Sequence, residues 1–391
     1  GEGMGAVEVM PTDNQELALR RQLWLATDKA YKAALSGFTE KQAALKNVET
    51  ENDLVDFSRE KPAQSVRELA QAGVDINKWK QTLRSTSDVF RNDPTLQSSN
   101  AFLSVRVLNR YFVNTEGTVT RSGKSMYAYV FSGAAQADDG MWIERSHGWV
   151  VTKPEDLPKM DEIDKEAKQL IASFNALEKA PLVEDDYRGP VLFSADAATS
   201  LFERLIVPNI LGVRPDLGNP ARTNGEFASY YKARVLPENF TVVDDPKAKE
   251  IDHQTLAGSY DVDDEGVEAQ KITVIDKGIL TNYLMGRQPI RDFPHSNGHG
   301  RTALAGAPRP QISNLIFKAS NSVPVEELKK RLIQMCKDQG RPYGYYVETT
   351  GPQLSPRLLW RVYVNDGHME LVRGSIFKQL DTRALRSDIV A

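Results

Sequence analysis

The chain has 391 residues, a length that one compact core seldom fills, so two domains are expected. Forty per cent of the residues are hydrophobic, which is enough to build both cores, and the formal net charge of −4 argues against binding nucleic acid through bulk positive charge. No apolar run approaches the roughly 18 residues of a membrane helix, so no membrane span is expected.

The first 185 residues are predicted to form an N-terminal α+β domain. A long helix is expected over about 13–45, because apolar residues recur at steps of three and four, and Thr12 followed by Gln15 is a capping-box pattern. Packing of this helix against the core is favoured over a free partner-binding surface. The apolar period then changes to two, and turn signals between aromatic and β-branched runs predict an antiparallel meander over about 101–152.

Residues 186–391 are predicted to form the second domain, which opens with a short buried strand, VLF, running into a helix. Ser194 at this junction fits a helix N-cap better than a catalytic nucleophile, because no G-x-S-x-G elbow surrounds it. Strands in hairpins follow, without regular βαβ alternation. The predicted fold class is therefore α+β, with mainly antiparallel sheets and flanking helices.

The single cysteine, Cys336, lies in a segment with helical spacing. One cysteine excludes an intrachain disulfide, which fits a reducing compartment, and a cytoplasmic location is expected. A packed, unreactive thiol is the favoured interpretation of this residue.

Residue types alone do not identify a reaction. His295 and His299 are four residues apart, but they lie in a glycine-rich loop, and a metal site there needs a third ligand that the sequence does not identify. A loop whose backbone groups face a ligand or a partner is the favoured interpretation. The acidic residues in 261–265 lack the spacing of an EF-hand loop, and a solvated acidic loop is favoured for them.

Four blocks occur in a recognisable order over about residues 100–320: NRYFVNTEGTVTR, RGPVLFSADAATSLFERLI, YDVDDEGVEAQKITVIDKGILTNYLMGR preceded by FTVVDDP, and SNGHGRTALAGAPRPQISNLIF. Together they resemble the TldD/PmbA (TldE) family, the peptidase family once called modulators of DNA gyrase. The resemblance implies a TldD/PmbA-like fold with two domains. The parts of the family that match are, in order, its N-S-E-G block, the start of its second domain, its D-D-E-G segment and its G-N-G-R segment.

In TldD-type members the strand–helix junction carries H-E-x-x-x-H, which holds two zinc ligands and the catalytic glutamate. The matching positions here are Ser194, Ala195 and Thr199, so the resemblance implies no catalytic residue, no metal and no other cofactor, whereas active members hold zinc. Serine and threonine are poor zinc ligands, and without the glutamate the usual base is missing. The family's third ligand is a cysteine near the C-terminus that Cys336 does not match, and the chain is expected to stop before that region.

Three functions stay open on this basis. The first is a non-catalytic, TldE-like subunit that pairs with a TldD-type metalloprotease and holds an unfolded peptide. The residues that match the family block are its candidate peptide-binding residues: Asn297, Gly298, His299, Gly300, Arg301, Arg309 and Asn314. The peptide would add a strand at an edge near PQISNLIF. The alternatives are a hydrolase with a relocated site, using His295, His299 and the acidic residues of 261–265, and a homo-oligomeric binding or scaffold protein.

Overall fold

The structure is a computed structural model that describes residues 8–12, 15–46, 54–216, 218–252, 254–302, 306–378 and 380–390. These ranges contain seven α-helices, which are α1 (Glu16–Leu45), α2 (Ile76–Arg91), α3 (Met160–Lys179), α4 (Ala195–Leu205), α5 (Val207–Ile210), α6 (Val325–Asp338) and α7 (Thr382–Ser387). The strands of the same ranges are β1 (Gln64–Val66), β2 (Ser98–Val113), β3 (Val119–Gln136), β4 (Trp142–Val151), β5 (Val191–Phe193), β6 (Phe240–Asp244), β7 (Glu250–Ile251), β8 (Gln254–Thr255), β9 (Ile272–Asp276), β10 (Ile279–Leu280), β11 (Gly300–Arg301), β12 (Arg309–Pro310), β13 (Leu315–Ala319), β14 (Tyr343–Thr350), β15 (Pro356–Tyr363) and β16 (Met369–Val372). The predicted α+β class with mainly antiparallel sheets is confirmed.

The first sheet contains the predicted meander. The long strand β3 pairs with β2 along one side and with β4 along the other, both antiparallel, and β1 pairs in parallel with the first three residues of β3. Helices α2 and α3 cover one face of the sheet. In α3, Ile163, Ala167, Leu170, Phe174 and Leu177 are buried at steps of four and three, which is the spacing of a single helix face. The core of this half is therefore a helix layer on an antiparallel sheet.

Two further four-stranded sheets follow in the described part of the chain. One has the order β10-β9-β6-β13 and is antiparallel throughout; the other has the order β16-β15-β14-β5, in which β5 runs parallel to β14. Helix α4 packs between the core of the first of these sheets, through Leu201, and that of the second, through Ala197. Cys336 is fully buried on α6, and burial raises the pKa of its thiol, which confirms the prediction of a packed cysteine.

Helix α1 differs from its prediction in its surroundings. It runs through Gly37 without a break, but none of its side chains is buried, and Trp24 and Phe38 are 65% and 54% exposed. The expected core packing is therefore wrong within the described chain. The predicted capping pattern also fails, since no side chain caps the helix at Gln15. An apolar period shows what a helix is able to bury, and it does not show whether a partner element is present.

None of the described helices combines the length and the apolar character needed to cross a membrane.

Candidate functional site

The strand–helix junction is formed by β5 and α4. Because β5 lies beside β14, the backbone N–H of Ser194 donates to the carbonyl of Val347 at 2.9 Å. The side-chain Oγ of Ser194 accepts from the N–H of Ala197 at 3.0 Å and donates to the carbonyl of Glu348 at 2.6 Å. Ser194 is thus the N-cap of α4, as predicted, and its hydroxyl also ties the helix start to the sheet.

The side chains at this junction do not fit a zinc site. Ser194 Oγ is already engaged in two hydrogen bonds, Ala195 offers no donor atom, and Thr199 Oγ1 donates to the carbonyl of Ala195 at 2.8 Å. Ala195 and Thr199 lie one turn apart on α4 and are both exposed. Neither side chain is charged, although these are the positions of the glutamate and the second histidine in H-E-x-x-x-H. No group of three or more His, Cys, Asp or Glu side chains that could hold a metal ion is found in the part of the chain that the structure describes.

A charged cluster lies beside the junction. Arg145 of β4 donates from Nη1 to Thr349 Oγ1 at 2.8 Å, and burial lowers its pKa, while the charges of Glu348 and Asp196 act in the opposite direction. Trp360 Nε1 donates to Glu348 Oε2 at 2.7 Å. Sequence reasoning missed this cluster because its members come from four separate elements, β4, α4, β14 and β15, and form no local motif. In this cluster the Glu348 carboxylate accepts a hydrogen bond from Trp360 and lies in the field of the Arg145 guanidinium.

Four of the seven predicted peptide-binding residues are buried, namely Gly298, His299, Gly300 and Asn314. His299 is fully buried, with Nε2 at 3.0 Å from Asp244 Oδ1 and Nδ1 at 2.9 Å from Asn297 Oδ1. Asn314 is also buried; its Oδ1 accepts from the N–H of Gly258, and its Nδ2 donates to backbone carbonyls of the neighbouring loop. In this chain both side chains hold loops in place, and direct contact with a peptide stays a prediction.

The two predicted glycines of the segment are required by close packing. Gly298 has a φ of +76°, and a Cβ there would press on the backbone of Glu268. At Gly300 a Cβ would lie closer than 3.0 Å to Glu265 Oε2, a separation that real Cβ atoms essentially never show. The backbone of this segment therefore passes unusually near the acidic loop.

Polar groups on the outer part of the segment remain nearer to solvent. Asn297 is half-buried, and its Nδ2 donates to the carbonyl of Tyr283. Arg301 stacks on Tyr260, with 3.9 Å between the guanidinium carbon and the ring centroid, and Arg309 is exposed on β12. Of the two charged residues in the predicted set, Arg309 is exposed, whereas Arg301 is half-buried and also forms an ion pair with Asp264.

The predicted strand-accepting edge is present. β13 pairs with β6 on one side, and no described strand pairs with its other side. Phe317 of β13 stacks on Phe202 of α4 with 4.3 Å between the ring centroids. Because Phe202 lies about one turn beyond Thr199, this edge and the exposed face of α4 are contiguous.

The residues of the alternative, relocated site are not gathered around one point. His295 is exposed, with Nδ1 at 3.5 Å from Glu60 Oε1, whereas His299 points inward to Asp244. The predicted solvated character of the acidic loop is confirmed for Asp261 and Glu268, which are exposed, and wrong for the acidic residues between them. Asp263 is buried and accepts from the N–H groups of Val267 and Gly300, and Asp264 forms an ion pair with Arg110 of β2. His253 lies outside the described residues.

The burial of this loop changes its titration. Burial raises the pKa of Asp263 to about 6 and that of Glu265 to about 7. The arginines that accompany the loop come from distant segments, Arg110 from the first sheet and Arg301 from β11, so local composition gave no signal of burial. The loop is one of the places where the first sheet and the second half of the chain meet.

Comparisons with known proteins show what parts of this chain are similar to. Residues 186–353 match the model of the PmbA/TldA metallopeptidase C-terminal domain. A metalloprotease from Methanocaldococcus jannaschii is 37% identical over 86 residues, 22% of this chain and 18% of the relative. A metalloprotease from Archaeoglobus fulgidus is 30% identical over 123 residues, 32% of this chain and 25% of the relative. The aligned parts thus span a quarter or less of these two curated relatives.

Solved structures show the same fold at low identity. A protein from Thermotoga maritima described as a modulator of DNA gyrase has a TM-score of 0.56 and 15% identity, covering 83% of this chain and 71% of that chain. TldE from Thermococcus kodakarensis has a TM-score of 0.53 and 12% identity, covering 84% of this chain and 72% of that chain. The fold predicted from the resemblance is therefore confirmed.

Proposed function

We propose that this chain is a TldE-like, non-catalytic subunit of a peptidase complex, and the match of residues 186–353 to the PmbA/TldA metallopeptidase C-terminal domain supports this proposal. The observation that carries the proposal is the β5–α4 junction. A hydrolytic zinc site needs three protein ligands and an open position. Here the two ligand positions of the family's H-E-x-x-x-H motif hold a helix-capping serine and a threonine that bonds within its own helix, and the position of the catalytic glutamate holds an alanine.

The chain binds an unfolded peptide along the free edge of β13. An extended peptide gains main-chain hydrogen bonds from an open edge, and alternate side chains enter neighbouring pockets. The Phe317–Phe202 stack beside this edge offers apolar surface, and Arg301 and Arg309 supply charge nearby. His299 and Asn314 support this surface from within by fixing the loops that carry it.

The partner in this proposal is a TldD-type metalloprotease subunit, which supplies zinc and the attacking water. TldE from Thermococcus kodakarensis shares the fold, and this likeness supports a TldE-like role without establishing a partner. The absence of a metal-holding cluster of His, Cys, Asp or Glu side chains from the described residues supports this division of labour, because a bound metal ion is what activates water in a metallopeptidase.

A reconstitution experiment tests the proposal. We expect an unfolded casein substrate to be degraded only when this chain and a TldD-type subunit are both present. Ala319→Pro should reduce peptide capture, because the regular β13–β6 register directs the N–H of Ala319 to the open edge. Ala319→Ser keeps that N–H and serves as the control. Chelator-sensitive cleavage by this chain alone would overturn the proposal, and unchanged capture by Ala319→Pro would exclude this edge.

A further inference from the structure

The outer edge of β2 is a long, open hydrogen-bonding surface in the first sheet. β2 spans 16 residues and pairs with β3 on one side, while no strand among the described residues pairs with its other side. The N–H of Asn114 donates to the carbonyl of Thr118 at the hairpin end, and the register shows no shift along the strand. Antiparallel pairs alternate, so even-numbered residues bond to β3 and the amides of odd-numbered residues from Ser99 to Val113 point outward.

This edge lacks the features that usually protect edge strands. Natural edges are short, bulged, or interrupted by proline or lysine. β2 contains no proline, no lysine and no bulge, and Phe102, Tyr111 and Val113 are 44%, 67% and 73% exposed. A strand of this kind is a template for pairing with another extended segment.

The charges of β2 specify the chemistry of that segment. β2 carries Arg106 and Arg110 and no acidic residue. Arg110 is paired with Asp264, but Arg106 is exposed and has no ion pair among the described residues. Arg106 and Phe102 share one face of the strand because they are four residues apart. Opposite charges across neighbouring strands attract, so an acidic side chain beside Arg106 is favoured.

The other face of the strand specifies apolar neighbours. Ala101, Leu103 and Val105 pack with the core that α2 and α3 cover. A strand added beside them extends this layer with apolar side chains at alternate positions. The fitting segment therefore alternates apolar residues with residues of which at least one is acidic.

We propose that the free edge of β2 binds an extended, acidic, alternating segment of a partner polypeptide as an additional strand. This surface lies outside the family domain of residues 186–353, and the proposal does not depend on the function assigned to the β5–α4 junction.

Fluorescence anisotropy with the whole protein and a labelled decapeptide of valine alternating with glutamate tests this inference. We expect saturable binding, and weaker binding when lysine replaces glutamate. Arg106→Glu should weaken binding of the glutamate peptide by up to about fivefold and strengthen binding of the lysine peptide by a similar factor. An unchanged preference in the Arg106→Glu protein would overturn the proposed charge recognition.

Proline and N-methyl variants test the strand pairing itself. Val107→Pro removes an outward N–H without breaking the β3 ladder and should abolish binding, whereas Val107→Thr keeps the N–H and should retain it. Thermal unfolding shows whether each variant is folded. With the unaltered protein, N-methylation of the peptide amides that face β2 should abolish binding. N-methylation of the amides on the opposite edge of the peptide should not. Equal binding of both N-methylated peptides overturns the proposal. A homodimer that Val107→Pro dissociates also overturns it, because the edge would then bind a second copy of this chain.

Discussion

Replacing Glu265 by glutamine should flatten the pH dependence of stability across neutral pH. Glu265 Oε2 accepts from the N–H of Arg287 at 2.6 Å and lies against Gly300, in the buried loop between the two halves. Burial raises the pKa of this carboxyl from its ordinary 4.5 to about 7. Between these values the folded state binds more protons than the unfolded state, so stability falls as pH rises from about 4.5 to 7.

The magnitude follows from the pKa difference. The pKa rises by about 2.5, and a pKa difference of one corresponds to about 1.36 kcal/mol. The folded state therefore gains about 3 kcal/mol of stability below pH 4.5, and it loses this stability once the folded carboxyl ionises. Glutamine stays neutral, has nearly the same shape, and its Oε1 can still accept from Arg287. The Glu265→Gln protein should therefore match the wild type at low pH and exceed its stability above neutral pH by up to about 3 kcal/mol.

Urea unfolding followed by tryptophan fluorescence at a series of pH values between about 5 and 8 measures this difference. Asp263, whose pKa burial raises to about 6, contributes a slope of the same sign and remains in both proteins. Glu268→Gln is the control, because the Glu268 side chain is 73% exposed. Parallel curves for the wild type and Glu265→Gln would refute the reasoning, since they would show that Glu265 ionises equally easily in the folded state.

Three further substitutions test the local geometry. Ser194→Ala should lower the free energy of unfolding by about 1 kcal/mol, because it removes the α4 cap. Thr199→Ala loses a hydrogen bond within the helix and should change the free energy of unfolding by less than about 0.5 kcal/mol. Equal losses of the two variants in urea unfolding would contradict the cap assignment. Gly300→Ala should lower the melting temperature strongly, because its Cβ meets Glu265 Oε2, and a neutral result would show that the loop has room to move. Gly37→Ala, in open space on α1, should raise stability by about 0.5–1 kcal/mol, and a loss would show that α1 is not helical there.

Local patterns in the sequence predicted what is decided locally. The cap at Ser194 needs only a strand end, a hydroxyl and a helix start, and all three are adjacent in the chain. The buried face of α3 follows from its spacing, and the β2–β4 meander follows from turn signals between alternating strands. These features are set by residues within a few positions of one another.

Features that depend on distant segments could not be predicted in this way. The acidic loop is buried because Arg110, more than a hundred residues earlier in the chain, lies against Asp264. His299 resembles a surface or ligand residue in sequence but pairs internally with Asp244. The same limitation explains α1, whose apolar stripe predicted core packing although no described element covers it. Pairing partners across the fold decide burial, and a single sequence does not display them.

The most direct test of the central claim is the metal content of the purified protein, measured by elemental mass spectrometry after mild dialysis. A non-catalytic subunit with Ser194 and Thr199 at the two ligand positions, and Ala195 in place of the glutamate, should retain no stoichiometric zinc. Zinc at about one ion per chain would contradict the account. Alanine substitution of His295 and His299 would then be the next step in finding the ligands.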